Sequence, residues 1–229
     1  STTPPTQSGG DQNTGTTTGT GNLASTILDP EETTSFEVGA KALLFRNRLS
    51  VSAAAFTLTR ENAAVQIANG VFAQVGEARV SGLELGINGE IAPGWTVFGG
   101  YTFQDSELVR GTYNSANIGD PLANTPEHSF SLFTTYEVTP KLSLGGGVYH
   151  VSDSFGGNQG GAGGGANFVF APAYTRYDAY ASYEISPRWA VQMNIQNLTD
   201  EDYIARTNGV HHADYGPARQ AILSLNARF

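Results

Sequence analysis

Cysteine is absent from this 229-residue chain, which excludes a disulfide scaffold and any thiolate metal site. Its absence also fits an oxidising compartment, where stray thiols are a liability. Charge is scarce, at 14% of residues where roughly 25% is ordinary for soluble domains. What charge there is leans acidic, with a formal net of −9, and a chain without a basic face has no use for nucleic acid as a partner. No run of about 18 apolar residues exists, so no segment crosses a membrane as a helix. The opening Ser1-Thr2-Thr3-Pro4-Pro5 has neither the basic start nor the apolar core of a signal peptide.

What remains is glycine, aromatics and alternation. With 28 glycines, 10% aromatic residues and no long apolar run, the composition describes a membrane β-barrel. It also suits a secreted β-sandwich or β-solenoid, so composition alone leaves these open. Residues 1–27 are a Thr/Gly-rich segment with almost nothing apolar before Leu23, and we expect a flexible loop there. From Leu28 onward a period of two dominates, placing one set of side chains on each face of a sheet.

The expected strands lie at about 33–45, 48–60, 73–92, 95–103, 126–138, 141–153, 173–186, 188–196 and 220–229. Leu83, Leu85, Ile87 and Ile91 oppose Glu84, Gly86, Asn88 and Glu90 in the third of these. The pattern blurs at Ala54, Phe56 and Leu58, where a bulge is one reading. Turns at 45–48, 92–95, 138–141 and 186–188 are short; connections at about 61–72, 104–125, 154–172 and 206–217 are long. Outer-membrane barrels have this asymmetry, with the short turns facing the periplasm. Trp95, Trp189, Tyr101, Tyr136 and Phe229 begin or end apolar stripes, as an interfacial girdle requires. About nine strands is an odd count, whereas bacterial single-chain barrels are even, so the sheet is expected to be part of a larger barrel.

Several stretches resemble one family. Asn197-Leu198-Thr199-Asp200-Glu201-Asp202-Tyr203, then Tyr215-Gly216-Pro217-Ala218-Arg219, then alternation to Phe229, resembles the closing hairpin of TonB-dependent outer-membrane receptors. Leu28 to Lys41, Ala78 to Leu85, and Pro172 to Ala179 are similar to other strands of that family. Pro121-Leu122-Ala123-Asn124-Thr125-Pro126-Glu127-His128-Ser129 resembles its catecholate siderophore branch. The resemblance implies an all-β, antiparallel meander of about nine strands over 28–229, the C-terminal portion of a 22-stranded barrel closed by an N-terminal plug. It implies uptake of ferric siderophores across a Gram-negative outer membrane, driven by the TonB complex through a region this chain does not include. Iron would enter only as substrate, with no cofactor and no enzymatic step. A self-contained small barrel serving as anchor, pore or adhesin is the alternative.

Candidate residues follow from the stripes and loops. Glu84, Glu90, Arg176, Asp178 and Glu184 fall on polar stripes, because a charge facing hydrocarbon costs about 2–4 kcal/mol at mid-depth. They either solvate a wet lumen or contact the plug. Glu84, between Gly82 and Gly86, has the most room for such a contact. Arg206, His211, His212 and Tyr215 share the last long loop; a solvated loop is the plain reading and contact with an anionic iron complex the sharper one. Adjacent histidines in extended chain point apart and chelate one metal poorly. The glycine run at 160–165 lacks the Lys-Ser/Thr and helix of a phosphate cradle, and reads as surface loop. His150, Ser152 and Asp153 are too close in sequence to meet as a hydrolase triad. In the family resembled, a terminal strand like Leu223, Leu225 and Phe229 is the signal read by the barrel assembly machinery, while the stripe itself meets outer-membrane lipid.

Overall fold

Segments that alternate apolar and polar side chains are satisfied best by edge-to-edge pairing, since one sheet then offers two chemically distinct faces. The computed structural model describes residues 30–68, 71–111, 117–158, 168–208 and 212–228 and contains no helix among them. Its strands are β1 (Glu32–Leu44), β2 (Leu49–Ala68), β3 (Val71–Ala92), β4 (Trp95–Arg110), β5 (His128–Thr139), β6 (Leu142–Val151) and β7 (Ser154–Asn158). They continue with β8 (Phe168–Ala171), β9 (Tyr174–Ser186), β10 (Trp189–Gln196), β11 (Ile204–Asn208), β12 (His212–Tyr215) and β13 (Gln220–Ala227). Nine pair in one sheet in the order β1-β2-β3-β4-β5-β6-β9-β10-β13, leaving β1 and β13 as its edges. The other four make two ribbons, β7–β8 and β11–β12, within the long connections.

The register joins the apolar stripes into one continuous face. Ala42, Val51, Ile87, Gly99, Leu132, Val148 and Tyr177 are successive cross-strand partners from β1 to β9. The row one residue away runs Lys41, Ser52, Gly86, Gly100, Ser131, Tyr149 and Arg176, and points the other way. Leu223 and Leu225 continue the apolar face opposite Met193 and Val191. That face is open, with Phe36 70%, Val38 74% and Leu223 73% exposed. Facing water, each such side chain would forgo about 1.5–3 kcal/mol of burial, so the wall is stable only against another apolar phase. Hydrocarbon is that phase.

Four details differ from the expected strand map. β2 and β3 run on through residues expected as loop, because Asn62, at φ 58, absorbs a register shift between Arg60 and Ala63 and the ladder resumes beyond it. β4 continues to Arg110 rather than stopping near 103, held by ion pairs between Arg79 and Glu107 and between Arg110 and Glu77. The ribbons β7–β8 and β11–β12 occupy connections expected to be bare loop. No bulge occurs at Ala54–Leu58. Phe56 instead lies on the polar face over Gly82, where a Cβ would stand 2.9 Å from the ring. The expected flexible segment 1–27 and the glycine run at 160–165 lie outside the described residues.

A single-layered wall has no core of its own. Apart from Leu49 and Val97, the buried residues gather at the long-loop end: Leu108, Ser106, Phe155, Ala171, Asn197, Tyr203 and Thr207. That end is where the candidate site lies.

Candidate functional site at the long-loop end

The site begins with a turn motif. Asn197 follows β10, takes a left-handed φ of 53° that asparagine tolerates, and is 1% exposed. Its Nδ2 donates to the carbonyls of Glu201 (2.9 Å) and Pro217 (3.0 Å), and its Oδ1 accepts the Glu201 N–H at 2.8 Å. Its own N–H donates to Asp178 Oδ1 at 2.9 Å. One residue thereby ties both limbs of the last loop together through its side chain and to β9 through its backbone N–H. Asp200 Oδ1 accepts the Arg219 N–H at 2.8 Å, closing the base a second time. The Tyr203 ring fills the place where a Gly216 side chain would be, so a Cβ there would overlap the ring. The motifs Asn197–Tyr203 and Tyr215–Arg219 are thus two halves of one lock.

Arg176 and Asp178 face the lumen beside this lock. Arg176 Nη2 donates to Asp178 Oδ2 at 3.1 Å, Nη1 reaches the Tyr203 hydroxyl at 3.4 Å, and the guanidinium lies 4.5 Å from the centre of the Tyr149 ring. Nε lies 3.1 Å from Asp178 Oδ1 but makes no hydrogen bond, and it is buried. Tyr174 stacks on Tyr203 with ring centres 4.2 Å apart. Next to this group the lumen wall carries a cleft of about 320 Å³ lined by Thr102, Ser129, Ser131, Tyr149, Tyr174 and Arg176. Its chemistry is hydroxyl donors around one guanidinium whose charge Asp178 already matches. Such a surface takes oxygen-rich groups by hydrogen bonding more than by net charge.

The loops above are joined to one another. Asn124 Nδ2 donates to the Thr207 carbonyl, and its Oδ1 accepts the Thr207 N–H, both at 2.8 Å, although the residues are 83 apart in sequence. The Asn124 N–H donates to the Phe155 carbonyl at 2.8 Å, and Leu122 packs on Leu108 and Phe155. Replacing Asn124 with alanine should speed amide exchange at Thr207 about tenfold or more, because that N–H loses its acceptor. Unchanged exchange in a folded receptor would show that the strap carries no weight.

The remaining expected residues are dispersed. Glu84 is exposed on the lumen face and has no polar partner among the described residues. Glu90 sits at the short-turn end, where it accepts the Gly94 N–H at 2.9 Å and pairs with Arg48. Glu184 lies at the same end, exposed, beside the β5–β6 turn. Arg206 pairs with Asp214 across the β11–β12 ribbon, whose His212 and Tyr215 are exposed. Arg206 and Tyr215 therefore share one ribbon but do not converge on Arg176. His211 and Phe229 lie outside the described residues. His150 bonds Thr175 Oγ1 on the outward face, and Ser152 Oγ accepts the His128 N–H, so the two do not form a dyad. Sequence reasoning missed Tyr149, Tyr174, Asn124 and Thr207. The segment around Asn124 carries a family resemblance, yet a partner 83 residues away leaves no local signal.

With this geometry in hand, comparison with known proteins gives one answer. The family model for the TonB dependent receptor-like β-barrel matches residues 2–198. The probable TonB-dependent receptor BfrD of Bordetella pertussis is 38% identical over 204 residues, 88% of this chain and 28% of the relative. The ferric-catecholate import receptor Fiu of Escherichia coli, in its closed crystal form, superposes with a TM-score of 0.80 at 31% identity, over 98% of this chain and 32% of that one. The siderophore receptor PiuA of Acinetobacter baumannii gives 0.79 at 35% identity, over 88% of this chain and 29% of that one. The chain spans about three tenths of the length of the relatives it matches. An open-edged sheet that superposes on part of a large barrel fits the receptor reading and not the self-contained small barrel.

Proposed function

This chain belongs to the TonB-dependent receptor β-barrel family, whose members sit in the Gram-negative outer membrane, and we propose that it forms the C-terminal wall of a receptor for ferric siderophores of the catecholate class. The observation that carries this reading is the likeness, over nine tenths or so of the chain, to relatives named as siderophore and catecholate receptors. The hydroxyl-lined cleft supports it, because an iron chelate presents oxygen atoms that neutral donors can meet. Arg206, His211, His212 and Tyr215 are the loop residues we assign to contact with the incoming complex. Iron is cargo in this scheme, and the chain contributes no cofactor site and no catalytic group.

The lumen face divides its tasks by pairing. Arg176 and Asp178 serve the loop lock, and Glu90 and Glu184 lie at the short-turn end. Glu84, at mid-wall and without a polar partner among the described residues, is the residue we assign to the plug, which carries the link to the TonB complex. Cells expressing the full-length receptor should accumulate radioactive iron from a ferric catecholate, and deleting either the receptor or TonB should reduce uptake to background. Wild-type uptake in the receptor deletion would overturn the reading.

Phe229 is assigned to recognition by the barrel assembly machinery, as the end of the stripe that holds Leu223 and Leu225. Strand addition is the physical basis, with alternate side chains entering pockets while the backbone pairs. Deleting Phe229 should lower the heat-modifiable folded receptor in outer-membrane fractions more than Asn226→Ser does. Equal yields would leave Phe229 as one more lipid-facing aromatic.

A further inference from the structure

All the cations of this chain but Lys41, which stands on the lumen face of β1, are sorted by depth. Arg60, Arg79, Arg110, Arg176, Arg206 and Arg219, all toward the long-loop end, are each in an ion pair with a carboxylate. At the short-turn end Arg48 pairs with Glu90, but Arg46, Lys141, Arg188 and Arg228 are exposed and have no carboxylate partner among the described residues. Three of these form a corner. The Lys141 carbonyl accepts the Glu184 N–H at 2.8 Å and the Arg188 carbonyl accepts the Arg228 N–H at 2.9 Å, so successive turns hold them side by side. Glu184 and Glu137 also lie at this end, but on strand positions that face the lumen.

On the outward face, along β6 from the turn that holds Lys141, lies a groove of about 530 Å³ lined by Trp95, Thr134, Tyr136, Leu144, Gly145 and Gly146. Leu144 is three residues from Lys141, roughly 10 Å along an extended strand. The indole and the threonine hydroxyl of the groove are bonded to the protein itself. Trp95 Nε1 donates to Thr134 Oγ1 at 2.7 Å, and that hydroxyl donates to the Thr96 carbonyl at 2.9 Å. An indole at a membrane interface ordinarily turns its N–H toward water or head groups; here it is spent internally and the ring stands as a wall. Gly146 contributes no side chain, which leaves a slot between the rings and Leu144.

We propose that this corner is a binding site for one anionic phospholipid of the periplasmic leaflet, its acyl chain in the Trp95–Tyr136–Leu144 groove and its head-group phosphate on Lys141. The proposal rests on the outer-membrane reading above. The outward face fixes the acyl part, since hydrocarbon is the phase it meets, and the cations at that end without a carboxylate partner among the described residues fix the sign of the head group. Each cation near a lipid surface contributes enough to change affinity about five-fold.

The test uses full-length receptor in detergent, titrated with phosphatidylglycerol or phosphatidylcholine and read by native mass spectrometry. One phosphatidylglycerol should be retained, about five-fold more readily than phosphatidylcholine. Lys141→Ala should remove that preference and Lys141→Arg should keep it. Lys41→Ala, which deletes a free cation on the lumen face, should leave it unchanged. Equal retention of the two lipids, or equal behaviour of Lys141→Ala and Lys41→Ala, overturns the site while leaving the receptor reading intact. Absence of the receptor from outer-membrane fractions would overturn both.

Discussion

Asn197→Ala should destabilise the folded barrel by about 3–4 kcal/mol. The buried side chain makes three hydrogen bonds, each worth about 1 kcal/mol net. Alanine at a φ of 53° adds about 1 kcal/mol of backbone strain that asparagine largely avoids. Asn197→Gly isolates the two contributions, because glycine accepts the left-handed conformation and should recover about 1 kcal/mol. Asn194→Ala, three residues earlier on the lumen face and without a side-chain hydrogen bond among the described residues, should stay within about 0.5 kcal/mol of wild type. Urea titration of the heat-modifiable band of the full-length receptor reads all three. An Asn197→Ala receptor as stable as wild type would mean that the loop base is held by other contacts.

Leu85→Arg should cost about 2–4 kcal/mol, whereas Leu44→Arg should cost only about 0–1 kcal/mol. Both leucines stand on the outward face, Leu85 at mid-wall and Leu44 beside the β1–β2 turn. The difference is depth. At the midplane a guanidinium must be desolvated or must drag water and head groups toward it, while at the interface it reaches them directly. A wall packed on protein would penalise both substitutions heavily, and a wall in water would penalise neither. Equilibrium unfolding of the full-length receptor from phospholipid vesicles separates the three cases.

The wall was legible because a barrel strand is satisfied by two different phases. Hydrocarbon outside demands an apolar residue at every second position, so Leu83, Leu85 and Ile87 on β3, or Val191, Met193 and Ile195 on β10, announce their face without any tertiary information. The inward face is less exacting. Phe56 and Phe98 stand on it among serines and glycines, and this is why the stretch Ala54–Leu58 blurred the pattern. The long connections were the least legible. The ribbons β7–β8 and β11–β12 are only four or five residues a strand, too short to show a period, and they are held by contacts made far away in sequence. Candidate residues followed the same division. Arg176, Asp178 and Glu84 could be put on the lumen face by counting, but the partners that separate them, Asn197 and Tyr203 for the first two and none for Glu84, required the fold.

Alternation of environment along β3 is the most direct test that this sheet is a stretch of membrane-spanning wall. The chain contributes no cysteine of its own, so single cysteines at Leu83, Glu84, Leu85, Ile87 and Asn88 can carry a nitroxide label in the receptor reconstituted in bilayers. Collision of each label with dissolved oxygen, which concentrates in hydrocarbon, and with a water-soluble nickel chelate reports the phase it meets. Labels at 83, 85 and 87 should collide often with oxygen and rarely with nickel, and those at 84 and 88 should show the opposite balance. Nickel access at Leu85 equal to that at Glu84 would contradict the account at its centre.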